Sequence, residues 1–213
     1  MKKSNFWTSI VEAIVVTLII TIWLTWMYNL FMKSQAMARA TWNRVQAIQM
    51  AREWLEAVIN MRDTNALIYW WDMKNCWNST NYNNLCIGDS GNTNSTDFAN
   101  SWSYIVFQDT DSRWKLSQIS WLVWWYVYTN PNYRTSFRVK KDALDMYTQW
   151  AWGVDFLPIF TREIKFTYSW ATVPASNNDT VIVDSIVQWM ESSSTSPYKV
   201  QLKIELTNWK GVN

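Results

Sequence analysis

Glu12 has the most unusual surroundings of any ionisable residue in this chain. It is the only charged side chain between Lys3 and Lys33, and it stands at the head of a run from Ala13 to Met32 that holds no charge. A carboxylate in hydrocarbon costs on the order of 2.5–3.5 kcal/mol at the bilayer centre and less towards the edge. A partner cation removes part of that cost. The chemistry on offer is therefore ion pairing inside a membrane. The alternative at this stage is a carboxylate simply solvated at headgroup level.

The other candidates are weaker. There is no histidine, which removes Ser-His-Asp and Cys-His catalysis and the commonest zinc ligand. Cys76 and Cys86 are the two cysteines; without histidine they cannot close a structural zinc site. In an exported chain they are expected to form a disulfide, free thiols being the alternative. Asp109-Thr110-Asp111-Ser112 and Asp89-Ser90-Gly91-Asn92 offer oxygen ligands to calcium, but neither fits a twelve-residue loop ending in glutamate, and polar turns are the better reading. Tyr126, Tyr128 and Tyr133 with Arg134 and Arg138 could face a glycan or DNA; strand and loop surface is the simpler assignment. Net charge is +2, too small to imply nucleic acid. No phosphate loop, carboxylate pair or nucleophile elbow is present. Neither enzymatic activity nor a metal or cofactor is expected.

The elements that must position these residues start with a helix. The charge-free run of 20 residues spans a bilayer as a helix, and it is longer than the apolar part of a cleaved secretory signal. Lys2 and Lys3 favour a cytoplasmic N-terminus, although Lys33, Arg39 and Arg44 weaken the bias. Beyond the run, Ala38, Thr41, Val45, Ile48, Ala51, Leu55 and Val58 recur at spacings of three and four. No proline interrupts, so one continuous helix of about 55 residues, roughly 80 Å long, is expected from Thr8 to Asp63. Residues 72–101 are rich in Asn, Ser and Thr and read as a long loop holding both cysteines. Strands are expected at Tyr104–Phe107, Leu122–Tyr128, around Ile164–Tyr168 and at Val181–Trp189. The last strand, from Tyr198, alternates Val200, Leu202, Ile204 and Leu206 with Lys199, Gln201, Lys203 and Glu205. The final two strands form an antiparallel hairpin. Three sequons, at Asn78, Asn94 and Asn178, are attributed to chance in so polar a chain.

The run Lys2-Lys3-Ser4-Asn5-Phe6-Trp7-Thr8-Ser9-Ile10-Val11-Glu12 resembles the leader and mature start of a type IV prepilin. In that family a short basic leader ends in glycine, a peptidase cuts after it, and the fifth mature residue is glutamate. Counting back from Glu12 places the cut between Trp7 and Thr8. The family has glycine where Trp7 stands and usually phenylalanine where Thr8 stands. The stretch from Ala51 to Asp63 resembles the helix end of bacterial pilin-like proteins, with glycine at Trp54. Phe160–Ile164 and Leu206–Lys210 are similar, more loosely, to the closing strands of minor-pilin-like proteins. The resemblance implies cleavage, methylation of the new amine at Thr8, and pairing of Glu12 with a neighbouring subunit's terminal ammonium.

Composition bears on the departure at Trp7. Glycine occurs 4 times and tryptophan 18 times, whereas ordinary usage of about 7% glycine gives roughly 15 in this length. Trp70-Trp71, Trp150-Ala151-Trp152-Gly153 and Trp170 sit at turn positions, where glycine is favoured. Some bacterial lineages read the codon UGA as glycine. A translation with UGA as tryptophan would give this pattern, so most of these tryptophans, Trp7 included, are expected to be glycine in the native protein. Trp23 and Trp26, if glycine, would let membrane helices approach closely. Trp189 and Trp209, at strand ends, read as true tryptophan; Trp77 and Trp114 stay open. A genuinely tryptophan-rich binding domain is the competing explanation.

The sequence thus specifies an α+β fold. Residues 1–7 are the expected leader, 8–32 the membrane half of the helix, 33–63 its extracytoplasmic half, and 64–213 a β-rich head. The expected function is that of a minor pilin or pseudopilin, a structural subunit of a type IV pilus or related fibre or secretion system. Its partners would be other pilin subunits, prepilin peptidase and the inner membrane, with no nucleic acid. The head would be extracytoplasmic, and on the cell surface after assembly. The rival is a single-span anchored receptor whose aromatic head binds a glycan.

Overall fold

A computed structural model describes residues 6–82, 84–88, 98, 102–108, 112–119, 128–141, 147–149, 154–155, 159–168, 180–191 and 194–208, and side chains from Ile10 onward. The expected turns at Trp150, Trp152 and Trp170, most of the strand expected at Leu122–Tyr128, the Asp89 and Asp109 turns, Tyr126, Trp209, Asn94 and Asn178 lie outside the described residues.

The first element, α1, runs Phe6–Ile68. It extends past the Asp63 end expected from the sequence because Asn65 and Ala66 are buried and hold the last turn down. The Asn65 amide donates to Trp77 O at 3.2 Å and Ser79 O at 2.8 Å, tying the helix end to the chain that follows. The polypeptide divides into two compact units, Met1–Val45 and Gln46–Asn213.

In the first unit every described side chain from Ile10 to Arg39 is exposed. An 18-residue window there has a mean hydropathy of 2.2 and none of it is buried in the chain, so the helix is long and apolar enough to cross a membrane.

In the second unit the continuing helix packs on an antiparallel five-stranded sheet of order β2-β1-β5-β6-β7. The strands are β1 (Ser103–Gln108), β2 (Trp114–Gln118), β5 (Thr161–Tyr168), β6 (Thr180–Trp189) and β7 (Tyr198–Thr207), with a small ladder of β3 (Lys140–Lys141) and β4 (Tyr147–Thr148) beside it. The helix buries Ala47, Met50, Ala51, Trp54, Ala57, Val58 and Met61. This stripe is rotated from the expected one. Ile48 and Leu55 are only half-buried, and Ala38, Thr41 and Val45 are exposed. The small residues Ala47, Ala51 and Ala57 let the sheet approach closely, and Met50 and Met61 fill the remaining gaps. Trp54, Ala57, Val58 and Met61 cluster with Val106, Leu116, Ile164, Phe166, Val181, Val183 and Leu206, with Phe98 stacked on Phe166 at 4.3 Å, and Ala47, Met50 and Ala51 cluster with Val139, Phe160, Val187 and Trp189.

The expected hairpin is present: Val181 pairs with Leu206 and Trp189 with Tyr198. In β7 the Val200-Leu202-Ile204 row is half-buried, and Lys199, Gln201, Lys203 and Glu205 are exposed. The stretch expected as a loop holds two short helical elements, α2 (Met73–Cys76) and a 3-10 turn (Asn84–Cys86). Cys76 and Cys86 are disulfide-bonded with Cα atoms 5.1 Å apart. Closing so short a loop contributes about 3 kcal/mol in the chain-entropy account. Asp72 completes the staple, accepting from Asn75 Nδ2 at 2.7 Å and from the Gly88 N–H at 2.6 Å. Gly88 has φ +74°, a left-handed conformation that glycine adopts without strain.

Candidate assembly site and the anchoring of the helix on the head

Trp7, Thr8 and Glu12 all lie on α1. Four residues separate Thr8 from Glu12, which puts both on one helix face. Glu12 is exposed and has no ion-pair partner among the described residues. Its neighbours in sequence, Val11, Ile14, Val15 and Val16, are exposed apolar side chains. A carboxylate set in such a surface is suited to pairing with a cation brought by another molecule. The disulfide residues belong to a different place, the staple behind Tyr69.

The side chains that fix the helix to the head form a second constellation, which sequence reasoning missed. Arg162 on β5 has 1% of its side chain exposed. Its Nη1 donates to Glu53 Oε2 at 3.0 Å and to Met50 O at 3.3 Å, both on α1. Its guanidinium lies 3.8 Å from the centre of the Trp54 ring, a cation–π contact. Burial pulls the Arg162 pKa down to about 10, and the Glu53 carboxylate opposes that shift. Arg162 and Glu53 belong to separate stretches of the sequence, Phe160–Ile164 and Ala51–Asp63. Their separation of 109 positions leaves no spacing signal to connect them.

Glu163 points the other way on the same strand and is also buried. Ser103 Oγ donates to its Oε1, Tyr133 Oη donates to Oε2 at 2.8 Å, and Lys165 Nζ lies 3.2 Å from Oε1. Tyr133 comes from α3 (Pro131–Ser136), whose N-terminus is capped by the Asn130 side chain. Burial, then the adjacent Glu163 charge, raises the Tyr133 pKa far above its ordinary value. Tyr128 is buried too, donating to Ile159 O at 2.9 Å. Arg138 pairs with Asp155 at 3.0 Å. The surface assignment of Tyr128 and Tyr133 is therefore corrected: they are core residues and cannot present a glycan or DNA platform. Asn78 is buried and donates to Tyr168 Oη at 3.2 Å, so that sequon is closed.

The Tyr133 environment has a pH consequence. Its folded pKa lies above its unfolded value of 10.0, so the stability it contributes is complete below pH 10. It declines above that pH by about 1.4 kcal/mol per unit as the unfolded chain ionises first. Tyr133→Phe is expected to lower stability at pH 8 by about 1–3 kcal/mol, since Glu163 loses a donor. It should also flatten the decline between pH 10 and 11.5 by one proton. Urea midpoints measured across that range check both.

The tryptophans divide by environment. Trp23, Trp26, Trp42, Trp70 and Trp71 are exposed, the last two in the turn after α1. Trp54, Trp77 and Trp189 are buried, and Trp189 stacks on Tyr198 at 5.5 Å. The indole Nε1 atoms of Trp54 and Trp189 have no hydrogen-bond partner among the described residues. Trp114 is half-buried in β2.

The described residues contain no group of three acidic or cysteine side chains that could hold a metal. Fold and site together define an α+β chain, one long N-terminal helix on an antiparallel sheet, whose apolar first half has the length and composition of a membrane span. No protein family, curated protein or solved structure matches the chain.

Proposed function

We propose that this chain is a structural subunit of a type IV pilus or related fibre, of the minor pilin or pseudopilin kind, and not an enzyme. The observation that carries the reading is Glu12. It is a lone carboxylate on an exposed apolar helix that continues without interruption into a β-sheet head. Processing between residue 7 and Thr8 frees an amine, which is then methylated, four positions from Glu12. In the assembled fibre that ammonium pairs with Glu12 of an adjacent subunit and sets the register between helices. The head is carried outside the cytoplasmic membrane, where a disulfide such as Cys76–Cys86 persists. The deciding experiment is fractionation of shear-released fibres against membranes for wild type and Glu12→Gln.

The reading requires glycine at position 7, and with it the recoding of most tryptophans. Peptide mass spectrometry is expected to return glycine at position 7 of the uncleaved precursor and at positions 70, 71 and 150 of the native protein. Tryptophan at those four positions would sink it. That result would favour the second reading, an anchored glycan receptor. The exposed Trp70–Trp71 pair, with ring centres 5.8 Å apart, would then be the sugar platform.

A further inference from the structure

The membrane half of α1 carries a polar ridge. Thr17, Thr21, Thr25 and Asn29 recur at every fourth residue, which aligns them along one inclined row of the helix surface. Each side chain bonds back to the preceding turn. Thr17 Oγ1 donates to Ile14 O at 2.9 Å, Thr21 to Thr17 O at 2.5 Å, and Thr25 to Thr21 O at 3.0 Å and Ile22 O at 2.8 Å. The threonine hydroxyl protons are thereby satisfied within the helix. Asn29 is not. Its Nδ2 donates to Thr25 O at 2.9 Å, but its carboxamide oxygen accepts nothing among the described residues. Asn29 lies inside the charge-free run, four residues before Lys33, where a donor from a neighbouring helix competes with water at the membrane edge.

The ridge is separate from the site of Glu12. At about 100° per residue, Glu12 stands roughly 140° around the helix from Thr25. Glu12 and the ridge thus stand on different faces of the helix.

We propose that the ridge is the seam of a parallel homodimer of this chain in the membrane, closed by reciprocal hydrogen bonds between the two Asn29 carboxamides. Single-span chains insert with one orientation, so two copies lie parallel with like residues at like depth. A carboxamide is self-complementary, with donor N–H groups and an acceptor oxygen. The N–H that does not bond Thr25 O in one copy donates to the oxygen of the other, and the reverse. Threonines at four-residue spacing keep the facing surfaces narrow enough for close helix approach. The inference rests on the membrane-spanning part of the proposed function and is independent of fibre assembly.

Cysteine crosslinking of the full chain in membranes tests it. Cys76 and Cys86 are bonded to each other and no free cysteine is present, so an introduced cysteine is the sole reactive thiol. Under mild oxidation Thr21→Cys and Thr25→Cys should give several-fold more covalent homodimer than Ile20→Cys and Met27→Cys, which lie on the far side of the helix. Adding Asn29→Ala to Thr25→Cys should cut the dimer several-fold, and that change makes the span more apolar and keeps it inserted. Equal crosslinking at all four positions would mean the ridge faces lipid. A product whose mass is not twice that of this chain would mean another protein covers it. Either result, or indifference to Asn29→Ala, overturns the proposal. Resistance to carbonate extraction separates the two levels: a chain that is extracted refutes the membrane reading, whereas a chain that stays but does not crosslink refutes the ridge alone. Glu12→Gln should leave the crosslink unchanged whether or not fibres form.

Discussion

Under the proposed fibre function, Glu12→Gln is expected to remove this chain from shear-released fibres while leaving it folded and in the membrane. The head should be unaffected because Glu12 belongs to a different compact unit from residues 46–213. Insertion should survive because losing a charge makes the span more apolar. Leader cleavage should survive because the cut is set by residue 7 and the basic residues before it. What fails is pairing, since the neighbour's ammonium is left without a counter-charge at the head of the apolar run, where the cost is below the roughly 2.5–3.5 kcal/mol of the bilayer centre. A cost of about 1.4 kcal/mol already corresponds to a tenfold loss in incorporation at each contact. Glu12→Lys should be worse, since like charges brought together cost several kcal/mol. The measurement is the ratio of subunit in sheared fibres to subunit in membranes. Equal ratios for wild type and Glu12→Gln would make Glu12 a bystander and shift the balance towards an anchored receptor.

The parts of this fold legible in the sequence were those governed by local period. The helix declared itself by an unbroken apolar run and by the absence of proline before Pro131. The last hairpin did so by the strict alternation from Tyr198 to Leu206. Strand β2 was missed because Trp114-Lys115-Leu116-Ser117-Gln118 holds one buried apolar residue, Leu116, and is recruited by pairing with β1 and by the Leu116 N–H to Thr80 O bond at 3.3 Å. The helix face came out rotated because β-sheet contact, not the hydrophobicity of Ile48 or Leu55, selected the alanine-rich side. Of the candidate site, Glu12 was visible from sequence because its isolation is a one-dimensional property. Tyr133–Glu163 and Arg162–Glu53 were invisible because each pair exists only once strand β5 is laid against distant elements.

Breaking the Arg162–Glu53 pair from the Glu53 side is expected to give the largest loss of head stability. Arg162 is buried, and its Nε already lacks a partner among the described residues. Glu53 is 38% exposed, so truncating it costs little in packing and its own charge is partly screened. The penalty comes from Arg162, which is left charged in a buried site with Met50 O as its remaining hydrogen-bond acceptor. Glu53→Ala should therefore destabilise by about 3 kcal/mol, the low end for stranding one member of a buried pair. Glu53→Gln keeps an acceptor oxygen and should cost about 1–2 kcal/mol. Arg162→Met removes the buried charge and keeps an unbranched apolar side chain in its place, so Glu53→Ala should lose most of its effect in the Arg162→Met background. The cycle is read from urea unfolding of the full chain in detergent, followed by near-ultraviolet circular dichroism. Additive losses in the double variant would show that Glu53 and Arg162 act independently and that the helix is held to the head by apolar packing alone.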